Sequence, residues 1–508
     1  MKRFACLGFV LCLYIATSGC GDTFRPIIIP NPPTFPNPAA TNTVVSINDN
    51  GPLVAGSAIA IDVSGDSVSS IANNGIHPIF AAQQSASEIL VLNQAVTASE
   101  TGVTGASLAT TDCLLSVPPP PNTLYVYNVC PSITELNFTS TSIGSTNTIT
   151  LPNYSSPNFV AVAPSATTAY VTLPTYPTDP SNPQTSIVPS VGIINIGVTT
   201  KGLVGTVPVV RSPSPGANPY ALAVTPDNTK LYVANDSGCP ATNGTCSISA
   251  FNTNNTALSL SPRGVTGSLS SPPIWLSARS DSQAVYVLEA NGTLAYISIA
   301  STTGPDVLTE EPSISVPGAV KMVYDTNLNE LFIPGGSQVA IVDVSQSVPA
   351  TLATIPITAV VAATRSASDP CAATTIATLN TIDVAALPDN TQAYAGTYYE
   401  AAVGGVNYIC PQVTAINTTS NTPEPPVIAI PGFAAYDAFC ASTRFRVTMS
   451  PGGDSTRAYL ASCDGGMVNI IDTSTDSYIE NQPVPAGTLT GTGGQNLPQN
   501  PVFLLAGP

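Results

Sequence analysis

The chain has one histidine, one tryptophan and eleven cysteines among its 508 residues, so few side chains can do acid–base or ligand chemistry. A Ser-His-Asp triad would have to pass through His77, and no G-x-S-x-G elbow accompanies it. As a metal or haem ligand His77 stands alone, and a hydrogen-bonded structural role explains it as simply. Arg444 and Arg446, near Cys440, bring two positive charges together. They can receive an anionic ligand at a channel mouth or pair with local carboxylates. These three residues, His77, Arg444 and Arg446, are the candidate ligand-binding set; no catalytic residue is assigned.

Other constellations read as structure. Asn48-Asp49-Asn50-Gly51 offers oxygen donors but lacks the spaced carboxylates and final Glu of an EF-hand loop, so it reads as a polar turn. Asp227 and Asp389 sit in Pro-Asp-Asn-Thr segments, where turn chemistry accounts for them. No Gly-rich loop opens a helix, which leaves nucleotide binding without support. The single tryptophan, Trp275, argues against a tryptophan-lined quinone site and reads as a strand residue packed between sheets. No cofactor and no metal are expected.

The cysteines speak of address. Lys2-Arg3, an apolar stretch from Phe4 to Ala16 and Thr17-Ser18-Gly19-Cys20 form a leader too short to cross a bilayer comfortably. It resembles a bacterial lipoprotein signal, departing from it at Thr17, where Leu is usual; an ordinary secretory signal cut near Gly19 is the alternative. Residues 1–19 are thus expected to be removed and Cys20 lipidated. Residues 20–42, rich in proline, would form a tether of roughly 60 Å in polyproline II, at about 3.1 Å per residue. The expected location is the cell envelope, anchored to a bacterial membrane on its periplasmic or cell-surface side. Eight cysteines follow, an even number that reads as disulfides in an oxidising compartment. Sequence neighbours suggest Cys113–Cys130, Cys239–Cys246, Cys371–Cys410 and Cys440–Cys463. With no C-x-x-C, a zinc site is not the reading.

Composition narrows the class further. Only 8% of residues are charged, against roughly 25% in ordinary domains, yet 43% are hydrophobic, enough for a core. Thirteen basic against 30 acidic residues give a net charge of −17. That excludes nucleic acid and disfavours anionic membrane surfaces, both of which need clustered Lys and Arg. The 49 prolines and 37 glycines interrupt helices throughout.

The elements that must position these residues are repeats. Asn218–Asn235 (NPYALAVTPDNTKLYVAN) is an apolar run, a turn and a second apolar run, a hairpin pattern. It recurs at 78–93, 158–173, 273–289, 319–334, 382–397 and 445–462, with Leu90, Tyr170, Tyr232, Tyr286, Phe332, Tyr394 and Tyr459 in register. A second pair of strand-like runs follows each hairpin, as at 338–344 and 350–355, with Asp343 and Asp472 ending third strands. The intervals hold one four-stranded unit of about 40 to 45 residues plus insertions. Seven units are complete. The segments 57–63 and 67–71 near the start, and 501–506 at the end, make a split one. The fold class is therefore all-β, a single β-propeller over 43–508 closed by its terminal strands. Eight blades are preferred; seven follow if the split strands merge into an existing blade.

Tyr232-Val233-Ala234-Asn235, preceded by Ala223-Val224-Thr225-Pro226-Asp227, resembles the YVTN β-propeller repeat of microbial surface proteins. The other hairpins depart from it: YVTL at Tyr170, YVLE at Tyr286, YAGT at Tyr394 and YLAS at Tyr459. The resemblance implies the fold and a surface location but no assigned activity. Neighbouring propeller families include lactonases, quinoproteins and haem d1 domains. The expectation is a non-catalytic binding or scaffolding module for a protein or glycan, with insertions at 94–150 and 398–412 enlarging one face. The alternative is a lactonase-like or quinoprotein-like enzyme using the central channel.

Overall fold

The computed structural model describes residues 43–49, 55–94, 96–100, 125–138, 142–179, 187–209, 218–236, 247–300, 304–359, 369–372, 378–431, 433–483 and 500–506. The leader, Cys20, the tether, Cys113, Cys239 and Cys246 lie outside them. Strands such as Lys230–Asn235 (KLYVAN) and Ala284–Glu289 (AVYVLE) are buried almost end to end. Both faces of each are covered, so apolar residues run on without alternation.

These strands form eight small antiparallel sheets of four or five strands each. The chain is an eight-bladed β-propeller. Blade 1 is the split one: Asn500–Ala506 lies innermost, followed outward by Thr43–Asp49, Ala55–Asp62 and Ser67–Ile76. Blade 2 starts at Pro78–Ser85. The inner strands of blades 3 to 8 are Val160–Val162, Pro219–Val224, Pro273–Ala278, Val323–Asp325, Leu379–Ala386 and Val447–Pro451. The Asn500–Ala506 strand packs on the inner strands of both blade 2 and blade 8, which closes the ring. Phe503 is paired with Ile47, and Val44 in turn with Ile61. Three N-terminal strands, not two, therefore complete this blade. Asn48 and Asp49, read above as a polar turn, are buried strand residues beside that seam.

The apolar core runs between blades. Tyr286 and Leu288 of blade 5 meet Ile333 and Val342 of blade 6, and Val44, Ile61 and Leu504 of blade 1 meet Tyr459 and Ile470 of blade 8. The register tyrosines also clasp the next blade with their hydroxyls. Tyr232 donates to Asp306 at 2.7 Å, Tyr286 to the Val344 carbonyl at 3.2 Å and Tyr394 to Asp476 at 2.6 Å. Tyr459 is fully buried with no partner for its hydroxyl among the described residues.

The two faces of the ring differ. Where the inner strand turns into the second strand, five blades have turns of equal length, at 163–167, 225–229, 279–283, 387–391 and 452–456, while blades 2 and 6 have shorter ones at 86–87 and 326–329. Each of the five places its fourth residue (Ala166, Asn228, Ser282, Asn390, Ser455) at φ between 54° and 63°. In each, that residue's N–H donates to the carbonyl of the first, as Asn228 does to Thr225 at 2.7 Å. Asp227 and Asp389 accept from the backbone N–H of Thr229 and Thr391, the turn role expected of them. Asp343 and Asp472 end their strands on this face, accepting likewise from Ser345 and Ser474.

The opposite face, where inner strands begin, carries the irregular connections. Between Asn93 and Ser132 the chain departs from blade 2 through the paired strands Val96–Glu100 and Tyr125–Val129. In blade 7, Gln392–Val403 and Val406–Asn417 form a long hairpin turning at Gly404-Gly405, both at positive φ. A Cys371–Cys410 disulfide and a Tyr399 hydroxyl donating to the Cys371 carbonyl at 2.7 Å brace its stem. Cys440–Cys463 is a further disulfide among the described residues, and Cys130 is also disulfide-bonded. Among the described residues no helix is long and apolar enough to cross a membrane.

Candidate functional site at the channel mouth

Inner strands converge on the axis, so a large side chain there must meet others from across the ring. Phe80 of blade 2 stacks at 4.3 Å on Phe159, just before the inner strand of blade 3, and at 4.6 Å on Phe503 of blade 1. Trp275 of blade 5 lies 5.5 Å from Phe159 and 6.0 Å from Phe445, which precedes the inner strand of blade 8. Rings from blades so far apart can touch only at the centre, so they fill the channel. Trp275 thus belongs to an axial aromatic plug and also packs against the apolar cluster between blades 5 and 6, the interblade contact expected for it. Lys321 of blade 6 completes the plug, 2.6 Å from Asp383 of blade 7 and above the rings of Trp275 and Phe445.

At the end where inner strands begin, the plug leaves a cavity of about 220 Å³. Arg444 lines it. Its guanidinium lies 4.3 Å from the Tyr220 ring, 5.1 Å from Trp275 and 5.2 Å from Phe159. It donates to two backbone carbonyls, Asn158 at 3.4 Å and Ile274 at 3.2 Å. Burial pushes its pKa down, partly offset by Tyr220 and Asp236. Asp236 acts on it from beyond ion-pair range and is itself held by the Asn218 amide at 2.5 Å.

His77 lines the same cavity. Its Nδ1 stands 2.6 Å from Oδ2 of Asp49, whose side chain is wholly buried in the seam strand. The backbone is left-handed there, φ 54°, a conformation that costs a non-glycine residue about 1 kcal/mol or more. The Asp49 contact and the Gln94 N–H donating to the His77 carbonyl at 3.0 Å hold it. A short helix, Ala438–Ser442, caps the cavity, its N-terminus satisfied by Asp437 accepting from Phe439 N at 2.9 Å. Phe439 sets its ring 6.1 Å from His77, and the Cys440–Cys463 disulfide fastens the helix to blade 8.

The candidate residues therefore separate. His77 and Arg444 share one cavity. Arg446 does not line it: Asp464 takes its guanidinium in a two-pronged pair at 2.6 and 2.7 Å, between the rings of Tyr436 and Tyr398. Burial opposes that charge, but the carboxylate prevails and the Arg446 pKa rises. Asp49, Tyr220 and Phe439 were not foreseen as neighbours of the site. One signal was present: an aromatic near the head of most inner strands (Phe80, Phe159, Tyr220, Trp275, Phe445, Phe503).

No family model matches the sequence, and no curated protein matches it. Solved structures do. AztD from Citrobacter koseri is similar over 91% of this chain and 97% of its own, with 10% identity and a TM-score of 0.51. Its apo structure gives 92%, 98%, 11% and 0.50. The periplasmic gluconolactonase PpgL of Pseudomonas aeruginosa covers 73% of this chain and 92% of its own, at 13% identity and a TM-score of 0.44. At such identities the likeness shows the propeller fold and nothing of the chemistry.

Proposed function

We propose that this chain is an exported, lipid-anchored propeller of a bacterial cell envelope that binds a protein or glycan without transforming it. The observation that carries the reading is the difference between the two faces. One carries short turns, of equal length and shared geometry in five blades; the other gathers the blade 2 excursion, the blade 7 hairpin and the capped cavity. A rigid ring presenting irregular loops on one side is the arrangement of a recognition scaffold. Val403 and Val406 at the hairpin tip, and Phe433 beside its stem, are exposed apolar side chains on that face. The lipoprotein-like leader and proline-rich tether support a location at the envelope, and the YVTN-like hairpin at 218–235 supports kinship with surface propellers.

One observation favours the enzymatic alternative: an Asp49–His77 pair beside a cavity is the geometry in which a carboxylate orients an imidazole base. The two readings separate in one set of assays. The full chain is offered glycans and envelope proteins in pull-down, alongside a chain whose blade 7 hairpin is shortened to the length of its neighbours, and both are assayed for lactone hydrolysis. Recognition requires a partner lost with the hairpin. Turnover of a lactone abolished in H77Q would replace it with the enzyme.

A further inference from the structure

Five arginines lie among the described residues, and four of them face carboxylates. Arg263 meets Asp306 at 2.7 Å, Arg279 meets Asp281 at 2.8 Å, Arg446 meets Asp464 at 2.6 Å and Arg457 meets Asp66 at 2.9 Å. Arg444, partly buried at the channel mouth, has no carboxylate within ion-pair distance among the described residues. A partly desolvated cation gains from a counter-ion, and two carbonyls satisfy only part of a five-donor guanidinium. The same group lines an open cavity.

We propose that Arg444 is the anchor of a binding site for a small monocarboxylate with a flat apolar body. This goes beyond the recognition reading above and stands independently of it. The guanidinium N–H donors that the two carbonyls leave over can meet a carboxylate. The ring of Tyr220, with Phe439 and Ile79 on other walls, offers apolar surface to the rest of the molecule. The volume, about 220 Å³, suits a small molecule rather than a glycan chain or peptide. A single arginine in a chain of net charge −17 suits a monoanion better than a dianionic phosphate. The lone tryptophan, 5.1 Å from the guanidinium, reports occupancy without any label.

Benzoate is the probe, titrated into the full chain purified in detergent and followed by Trp275 fluorescence and by calorimetry. Benzamide, its neutral counterpart of the same shape, and inorganic phosphate are run in parallel. The expected result is saturable benzoate binding at least tenfold tighter than either control. Binding should be lost in R444M and weakened in R444K. Because R444M removes a partly buried group and can misfold, Ser442→Tyr provides a second test: it fills the cavity from its exposed rim, should abolish benzoate binding and should leave the melting temperature unchanged. Equal affinity for benzoate and benzamide, benzoate binding that survives R444M, or no binding by the native chain overturns the proposal. If a hairpin-dependent partner is found while benzoate fails, the carboxylate site falls and the recognition reading stands. If benzoate binds and no such partner exists, the reverse holds.

Discussion

At the scale of single residues, burial decides which charges persist. Glu289 of blade 5 is fully buried, and burial, reinforced by nearby Glu310, pushes its pKa up to about 7 despite bonds from Ser270 and Ser271. Glu330 of blade 6 is raised to about 7 by burial and by Asp325 and Asp343. Both carboxyls hold a proton more tightly folded than unfolded. Their contribution to stability is therefore complete below the unfolded value near 4.5 and is lost as pH rises through about 7. Asp306 and Asp472, lowered against opposing burial by their hydrogen bonds and by Arg263 and Arg457, act oppositely and lose their contribution in stronger acid. The melting temperature should thus be higher at pH 5 than at pH 8. A Glu289→Gln, Glu330→Gln double variant should flatten that slope; an unchanged slope would refute the assignment.

At the scale of elements, the blade is held to its neighbour by one repeated tyrosine as well as by apolar packing. Tyr232 reaches Asp306, which Arg263 also grips, whereas the hydroxyl of Tyr459 has no partner among the described residues. Tyr232→Phe should cost about 2 kcal/mol, the usual worth of a bond to a charged group. Tyr459→Phe should be neutral or stabilising, since it removes a buried, unsatisfied hydroxyl. Chemical denaturation of both variants checks the contrast, and equal losses would contradict it. These residues are also why seven blades were legible in the sequence: the second strand of each carries a large residue in the same place, between two apolar neighbours. The strand Thr43–Asp49 was less visible because its end, Asn48-Asp49, carries polar groups buried by partners distant in sequence. Ser57 donates no apolar signal either, yet its hydroxyl accepts from the Asn48 amide at 3.3 Å.

At the scale of the whole molecule, closure creates the site. His77 and Arg444 stand near opposite ends of the chain and meet only because the last strand is zipped beside the first. Sequence patterns reveal repeats, which are local, and could nominate both residues as chemically notable. They could not place them together, nor separate Arg444 from Arg446, because Asp464 and the aromatic plug are assembled by the ring. The aromatic plug is likewise a product of closure. Rings from blades 1, 2, 3, 5 and 8 meet on the axis, and the Lys321–Asp383 pair ties blades 6 and 7 to it. The most direct test of this architecture is quenching of the single tryptophan by acrylamide in the native chain. If Trp275 sits in a packed axial plug, its emission should be blue-shifted and its quenching several-fold weaker than that of free tryptophan, becoming equal on unfolding. Emission and quenching like free tryptophan in the folded chain would mean an open channel without the packed plug.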